Sequence, residues 1–180
     1  WNTAQTVTVT GIDDSLIDGN QTTAVTVAVN ASSNSAYTSL PTQTVSVTTS
    51  DDDTASFTLS GTTATVSETG TTATFTAVLG AQPSSDVVLS VVSADTGEAT
   101  VSPAQLTFTS GNWNAAQTVT VTGIDDSLID GDQVTTVTVS IVDASSDNNF
   151  DPLADQTVTV TTSDDETGSF TLSGTTATVS

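Results

Sequence analysis

The chain has 180 residues and a mass of 18.1 kDa, room for one domain or two small ones. It carries 21 Asp and Glu and no Lys, Arg or His, so the formal charge is −21; 41 Thr and 24 Ser stand beside no Cys or Met. This inventory lacks the cations that nucleic-acid binding needs, the imidazole, thiolate and amine of most catalysis, and any disulfide. No apolar run approaches the ~18–20 residues of a membrane span, and an anionic membrane surface repels such a chain. High charge with few aromatics also fits a disordered chain. The residue pattern argues against disorder.

The sequence repeats itself. Residues 1–27, WNTAQTVTVTGIDDSLIDGNQTTAVTV, return at 113–139 with differences only at positions 3, 20, 22 and 24. SFTLSGTTATVS at 56–67 returns unchanged at 169–180. The offsets are 112 and 113, and a period of about 112 residues matches a whole sandwich domain rather than a solenoid repeat. The expected organisation is the C-terminal part of one repeat (1–53), a complete repeat (54–166) and the first strand or strands of the next (167–180). A longer tandem array is expected on both sides, and an export signal, if there is one, lies outside these residues.

Within the complete copy the apolar period is 2, and Thr and Val, both β-branched, favour pleated backbone. Strands are predicted at 55–60, 62–68, 71–79, 86–93, 98–101, 105–109, 116–123, 133–143 and 155–162, with the first two readable as one bent strand. Turn signals such as Ser60-Gly61, Thr69-Gly70, Gln82-Pro83-Ser84 and Gly131-Asp132 separate them. Ala73, Phe75, Ala77 and Leu79 share a face, as do Val119 with Val121, Val137 with Val139 and Ile141, and Val158 with Val160. No segment shows a helical stripe. The fold expected is an all-β, Ig-like antiparallel sandwich.

The acids gather in loops: Asp95 and Glu98; Asp125, Asp126, Asp130 and Asp132; Asp164, Asp165 and Glu166; and Glu68 at the end of a strand. No basic residue neutralises them, and neighbouring loops feel the repulsion across a Debye length of ~8 Å. Hard divalent cations relieve it, and calcium takes six to eight oxygen ligands in flexible geometry. Glu68, the 125–130 loop and 164–165 each close a strand, which brings them toward one pole of a sandwich. No EF-hand alternation or GGxGxD nonapeptide occurs, and solvated acidic surface is the plainer alternative.

Val66-Ser67-Glu68, Leu106-Thr107-Phe108, the run from Thr120 through Ile124-Asp125-Asp126-Ser127-Leu128-Ile129-Asp130-Gly131-Asp132-Gln133, and Ser163-Asp164-Asp165 follow the order of a Calx-β domain. The resemblance covers all of 54–166 and parts of both flanking copies. It implies calcium ligation by Glu68, by Asp125, Asp126 and Asp130 with the Leu128 carbonyl, by Asp164 and Asp165, and by either Asp95 or Glu98. In the first copy the corresponding residues are Asp13, Asp14, Asp18, Asp51 and Asp52. Ser163 and Gln133 stand where the family often has acids, which implies fewer or weaker ions. The implied role is a calcium-rigidified spacer of a large secreted adhesin or extracellular fibre on a bacterial surface. Its partners are then neighbouring repeats of the same chain, with lateral self-association into fibres as an extension.

Two other roles are open: a calcium-sensing regulatory domain, and a polysaccharide-binding module with Trp113 as anchor. A glycosidase needs paired carboxyls beside a sugar platform, and the few aromatics leave little of one. The chain is expected not to be an enzyme. Thr-x-Thr runs are read as exposed faces of twisted strands rather than an ice-binding ladder, and the N-x-S/T matches at Asn20 and Asn30 as chance patterns.

Overall fold

The computed structural model describes residues 2–174, 176 and 178; Trp1, the counterpart of Trp113, and part of the 167–180 segment lie outside them. Two compact units are present, Trp1–Thr54 and Ala55–Ser180.

In the first unit, strands β1 (Gln21–Val27) and β2 (Gln43–Thr49) form an antiparallel pair with Val25 opposite Val45. The long connection between them is folded by Asn side chains. Asn30 Oδ1 accepts the Ser32 N–H at 2.9 Å, and Asn34 Oδ1 accepts that of Ala36 at 2.9 Å.

The second unit is a two-sheet sandwich. Its strands are β3 (Phe57–Leu59), β4 (Thr63–Ser67), β5 (Thr72–Leu79), β6 (Val87–Ser93), β7 (Ala99–Ser102), β8 (Gln105–Phe108), β9 (Gln117–Gly123), β10 (Gln133–Ile141) and β11 (Gln156–Ser163). One sheet runs β4-β11-β10-β6-β8 and the other β3-β5-β9-β7. The alternation expected from sequence becomes the core. Phe75, Ala77 and Leu79 of β5, Val119 and Val121 of β9, Val137 and Val139 of β10, and Val158 and Val160 of β11 are all buried. Phe108 and Phe150 are buried among them. Each such Val, Leu or Phe side chain contributes about 1.5–3 kcal/mol of transfer free energy.

The structure decides one open alternative and refines one expectation. Residues 55–60 and 62–68 are not one bent strand. β3 pairs with β5 in one sheet and β4 with β11 in the other, and the chain crosses between them at Ser60-Gly61. The sheets are also not antiparallel throughout, because β4 runs parallel to β11 with Thr63 opposite Thr159 and Ser67 opposite Ser163. A strand that changes sheets through a tight corner keeps its direction, and that direction matches β11.

None of the 21 carboxylates lies within a strand. Both flanks of the sandwich are surfaced by Thr, Ser and Val, and the charge is confined to its ends and connections.

Candidate metal centre

The topology sets the pole. Because β4 and β11 are parallel, both finish at the same end, which brings Glu68 beside the segment that follows Ser163; the Glu68 N–H donates to the Ser163 carbonyl at 3.1 Å. β10 starts there, with Gln133 opposite Thr162. β9 finishes there and β7 starts there, with Gly123 opposite Ala99. Glu68, Glu98, the 124–132 loop and residues 164–166 therefore emerge together.

Three groups of carboxylates result, each placing one oxygen per residue within 4.8 Å of the others: Glu68, Asp164 and Glu166; Glu98, Asp126 and Asp130; Asp125, Asp165 and Glu166. Glu68 is only 1% exposed, and its Oε2 atom has no hydrogen-bond partner. Glu166 Oε2 is likewise buried and unpartnered. A buried, unsatisfied carboxylate oxygen is costly unless something positive meets it.

Backbone amides hold the loops in place. Asp164 Oδ2 accepts the Gly131 N–H at 2.7 Å and Oδ1 that of Glu166 at 2.9 Å. Asp126 Oδ1 accepts the Leu128 N–H at 2.6 Å. Gly131 has φ of 74°, a left-handed conformation that glycine takes without strain. Gln133 braces the loop from above, its amide donating to the carbonyls of Asp130 and Gly131, each at 3.2 Å.

Electrostatics divides the acids. The Glu166 and Gly131 amides hold the Asp164 carboxyl below its usual range. A carboxyl–carboxyl hydrogen bond with Glu68, together with burial and the bond to Asp164, pushes Glu166 up to about 7. For Glu68 the bond to Glu166 pulls downward, but burial and the charges of Asp126, Asp164 and Asp130 outweigh it, and the net shift is upward. Burial, then Asp130, Asp95 and Asp126, raise Glu98. With no basic side chain in the chain, a shared proton or a bound cation is what can lower this repulsion.

Of the residues singled out from sequence, Glu68, Glu98, Asp125, Asp126, Asp130, Asp164 and Asp165 are brought together. Asp95 joins none of the groups found among the described residues. Its Oδ1 instead accepts the Gly97 N–H at 2.9 Å, so of the two alternatives the geometry brings Glu98 to the cluster. Leu128 has an exposed side chain beside the loop. Glu166 is not among the ligands expected from sequence, yet it belongs to two of the three groups, and its signal is its place in the Asp164-Asp165-Glu166 run.

The first unit repeats the clamp. Asp51 Oδ2 accepts the Gly19 N–H at 2.6 Å, Asp51 Oδ1 that of Asp53 at 2.9 Å, and Asp14 Oδ1 that of Leu16 at 2.8 Å. Asp13, Asp14, Asp18, Asp51, Asp52 and Asp53 border one cavity of about 360 Å³. The Asp53 and Gly19 amides lower Asp51, whereas burial and then the charges of Asp51, Asp52, Asp13 and Asp14 raise Asp53.

Elsewhere, Asp147 is buried and accepts from the Ser84 N–H and hydroxyl, both at 2.7 Å, and from the Ser85 and Asn149 amides. Trp113 is half-buried in the turn before β9, its carbonyl accepting the Leu79 N–H at 3.2 Å.

No protein-family model matches the sequence, and no curated protein matches it. Solved structures do. SSP-19, an MSP-domain protein like family member of Caenorhabditis elegans, is 19% identical with a TM-score of 0.39, the match covering 59% of this chain and 96% of that one. Domains 4 and 5 of the S-layer protein SbsC are 25% identical with a TM-score of 0.44, covering 69% of this chain and 53% of that one. The E. coli chaperone DraB is 7% identical with a TM-score of 0.43, covering 61% and 55%. No helix among the described residues is long and apolar enough to cross a membrane.

Proposed function

We propose that the chain is a piece of a tandem structural array, a spacer of the Calx-β type, in which calcium at the pole of each sandwich stiffens the passage to the next copy. The observation that carries this reading is Glu68: buried to 1% exposure, with a bare Oε2 atom, among Asp164 and Glu166 in a chain without a single basic side chain. A calcium ion there satisfies that oxygen and draws on Asp164 and Glu166, while the Glu98 and Asp125 groups offer neighbouring places for further ions. Because one of them, 164–166, leads directly out of β11 toward the next copy, an ion there restrains the linker as well as the loops. Work of this kind scales with copy number, which fits near-identical repeats.

The proposed setting is a secreted, bacterial surface protein. Sandwich flanks that carry no charge in a chain of −21 also leave room for side-by-side packing of arrays.

The test is thermal unfolding of the 180-residue chain in millimolar calcium and in chelator, repeated with Asp126→Ala/Asp164→Ala. A ligand that binds only the folded state adds about 2.7 kcal/mol per site at a hundredfold excess over Kd. The expected result is a clear upward shift of Tm in calcium that the double substitution abolishes. Identical melting in both buffers overturns the reading.

A further inference from the structure

Residues 43–53, QTVSVTTSDDD, and 156–166, QTVTVTTSDDE, differ at two positions, and the second of these puts Asp53 where the other copy has Glu166. The backbone is held alike at both acids. The Asp53 N–H donates to Oδ1 of Asp51 at 2.9 Å, and the Glu166 N–H donates to Oδ1 of Asp164 at 2.9 Å. In each copy the other oxygen of that aspartate accepts the amide of the loop glycine, Gly19 or Gly131. What differs is reach. Glu carries its carboxylate one carbon–carbon bond, about 1.5 Å, further from the same fixed backbone.

That reach is used. Glu166 belongs both to the group with Glu68 and Asp164 and to the group with Asp125 and Asp165, so its carboxylate stands between two places for a cation. Oε2 of Glu68, in a side chain 1% exposed, and Oε2 of Glu166 are both buried without a hydrogen-bond partner. The Asp125 group allows a like-for-like comparison, because its counterparts Asp13, Asp52 and Asp53 are all present in the first unit. They form no such group among the described residues.

We propose that side-chain length at this one position sets the calcium affinity of each copy, with Glu166 a ligand shared between two ions and Asp53 too short to be shared. The inference rests on the calcium reading above and adds to it a difference between copies. A carboxylate has two oxygens, and in the shared position each meets its own cation. An ion that enters one place also orders the Glu166 side chain for the other, so the two binding steps support each other. Shortened by one methylene, the carboxylate keeps its charge but leaves one of the two groups a ligand short. A copy with Asp at this position then gives up calcium first as its concentration falls. An array of mixed copies loosens at some junctions while others stay stiff.

The experiment is a calcium titration of the 180-residue chain followed by two-dimensional amide NMR, with the Gly131 N–H, bound to Asp164, reporting on the second pole. It is run on the unmodified chain, on Glu166→Asp and on Glu166→Gln. Asp occupies this turn in the other copy with the same amide bond, so Glu166→Asp changes length alone. Gln keeps the length but offers a single carbonyl oxygen, which cannot serve two ions. The expected result is a Gly131 midpoint raised at least about tenfold, or 1.4 kcal/mol, by either substitution, with the steepness of the titration lost. A midpoint that either substitution leaves in place overturns the proposal and leaves the calcium reading standing. A Gly131 amide that does not respond to calcium in the unmodified chain overturns both.

Discussion

The Gly131 amide donates to Oδ2 of Asp164 at 2.7 Å, tying the loop between β9 and β10 to the segment that follows β11. The same bond joins Gly19 to Asp51 at 2.6 Å in the first unit. A charge-assisted bond of this kind aligns two acidic segments that would otherwise repel. Replacing Asp164 with Ala is expected to lower Tm in chelator and to shrink the gain on adding calcium. Replacing Gly131 with Ala, at φ of 74°, is expected to cost about 1–2 kcal/mol through backbone strain alone, measured by urea unfolding.

The pH dependence of the calcium-free chain follows from opposing shifts. Glu166 is raised to about 7 from 4.5, so the folded chain holds a proton that the unfolded chain releases. Its stabilising contribution is complete below pH 4.5 and is lost as pH rises through 7. Asp164 and Asp147 are lowered from 3.8, and their contributions are present above 3.8 and lost as pH falls through their folded values. Without cation, stability is expected to peak between about pH 3.8 and 4.5 and to decline toward neutrality. Saturating calcium is expected to remove that decline and to release protons on binding near pH 6, readable by calorimetry in buffers of different ionisation enthalpy. A flat profile from pH 4.5 to 7 in chelator would contradict the shared proton.

Asp147 is a staple and not a ligand. Burial raises its pKa, but the Ser84 hydroxyl and the amides of Asn149, Ser84 and Ser85 outweigh this. Asp147→Ala removes the acceptor of these part-buried bonds and is expected to destabilise the second unit by about 1–3 kcal/mol, with the calcium response unchanged. Urea denaturation with and without calcium separates this effect from loss of a metal site.

Gly123 lies under the Ser67 backbone, with no flexible atom to yield. Gly123→Ala is expected to cost at least about 1–3 kcal/mol, the range for overpacking. Its readout is Tm in chelator, and the accompanying signature is faster amide exchange along Thr63–Ser67, because β4 must move away.

Much of the pole was legible because charge has nowhere to hide in this chain. Acids are excluded from strands whose outer faces are Thr and Ser, so Glu68, Asp125, Asp126, Asp130, Asp164 and Asp165 stood out at strand ends. Asp95 and Glu98 could not be told apart along the chain, since both flank the same turn. Three-dimensional placement separates them: the Asp95 carboxylate turns back to the Gly97 amide, and Glu98 reaches Asp126 and Asp130. Glu166 was passed over because its partner Glu68 is 98 positions away in sequence and becomes its neighbour only through the parallel pairing of β4 with β11.

The sequence by itself determined that strands would form, where their turns fall, which faces are apolar and that every carboxylate lies at an end or a connection. Period-2 alternation of β-branched residues and Gly-containing turns are local properties, and they suffice for that. Pairing is not local. Gln-Thr-Val-Thr-Val-Thr-Gly occurs at 5–11 and at 117–123. At 117–123 it is a central strand between Thr72–Ala77 and Ala99–Ser102, with Val119 and Val121 fully buried. At 5–11 it forms no strand, and Val7 and Val9 are 71% and 49% exposed. A strand's amides and its apolar face are satisfied by other segments, here Thr72–Ala77 and Ala99–Ser102, and the counterparts of those two segments are not among residues 1–53. Only the tertiary structure decides which segments are there to meet them.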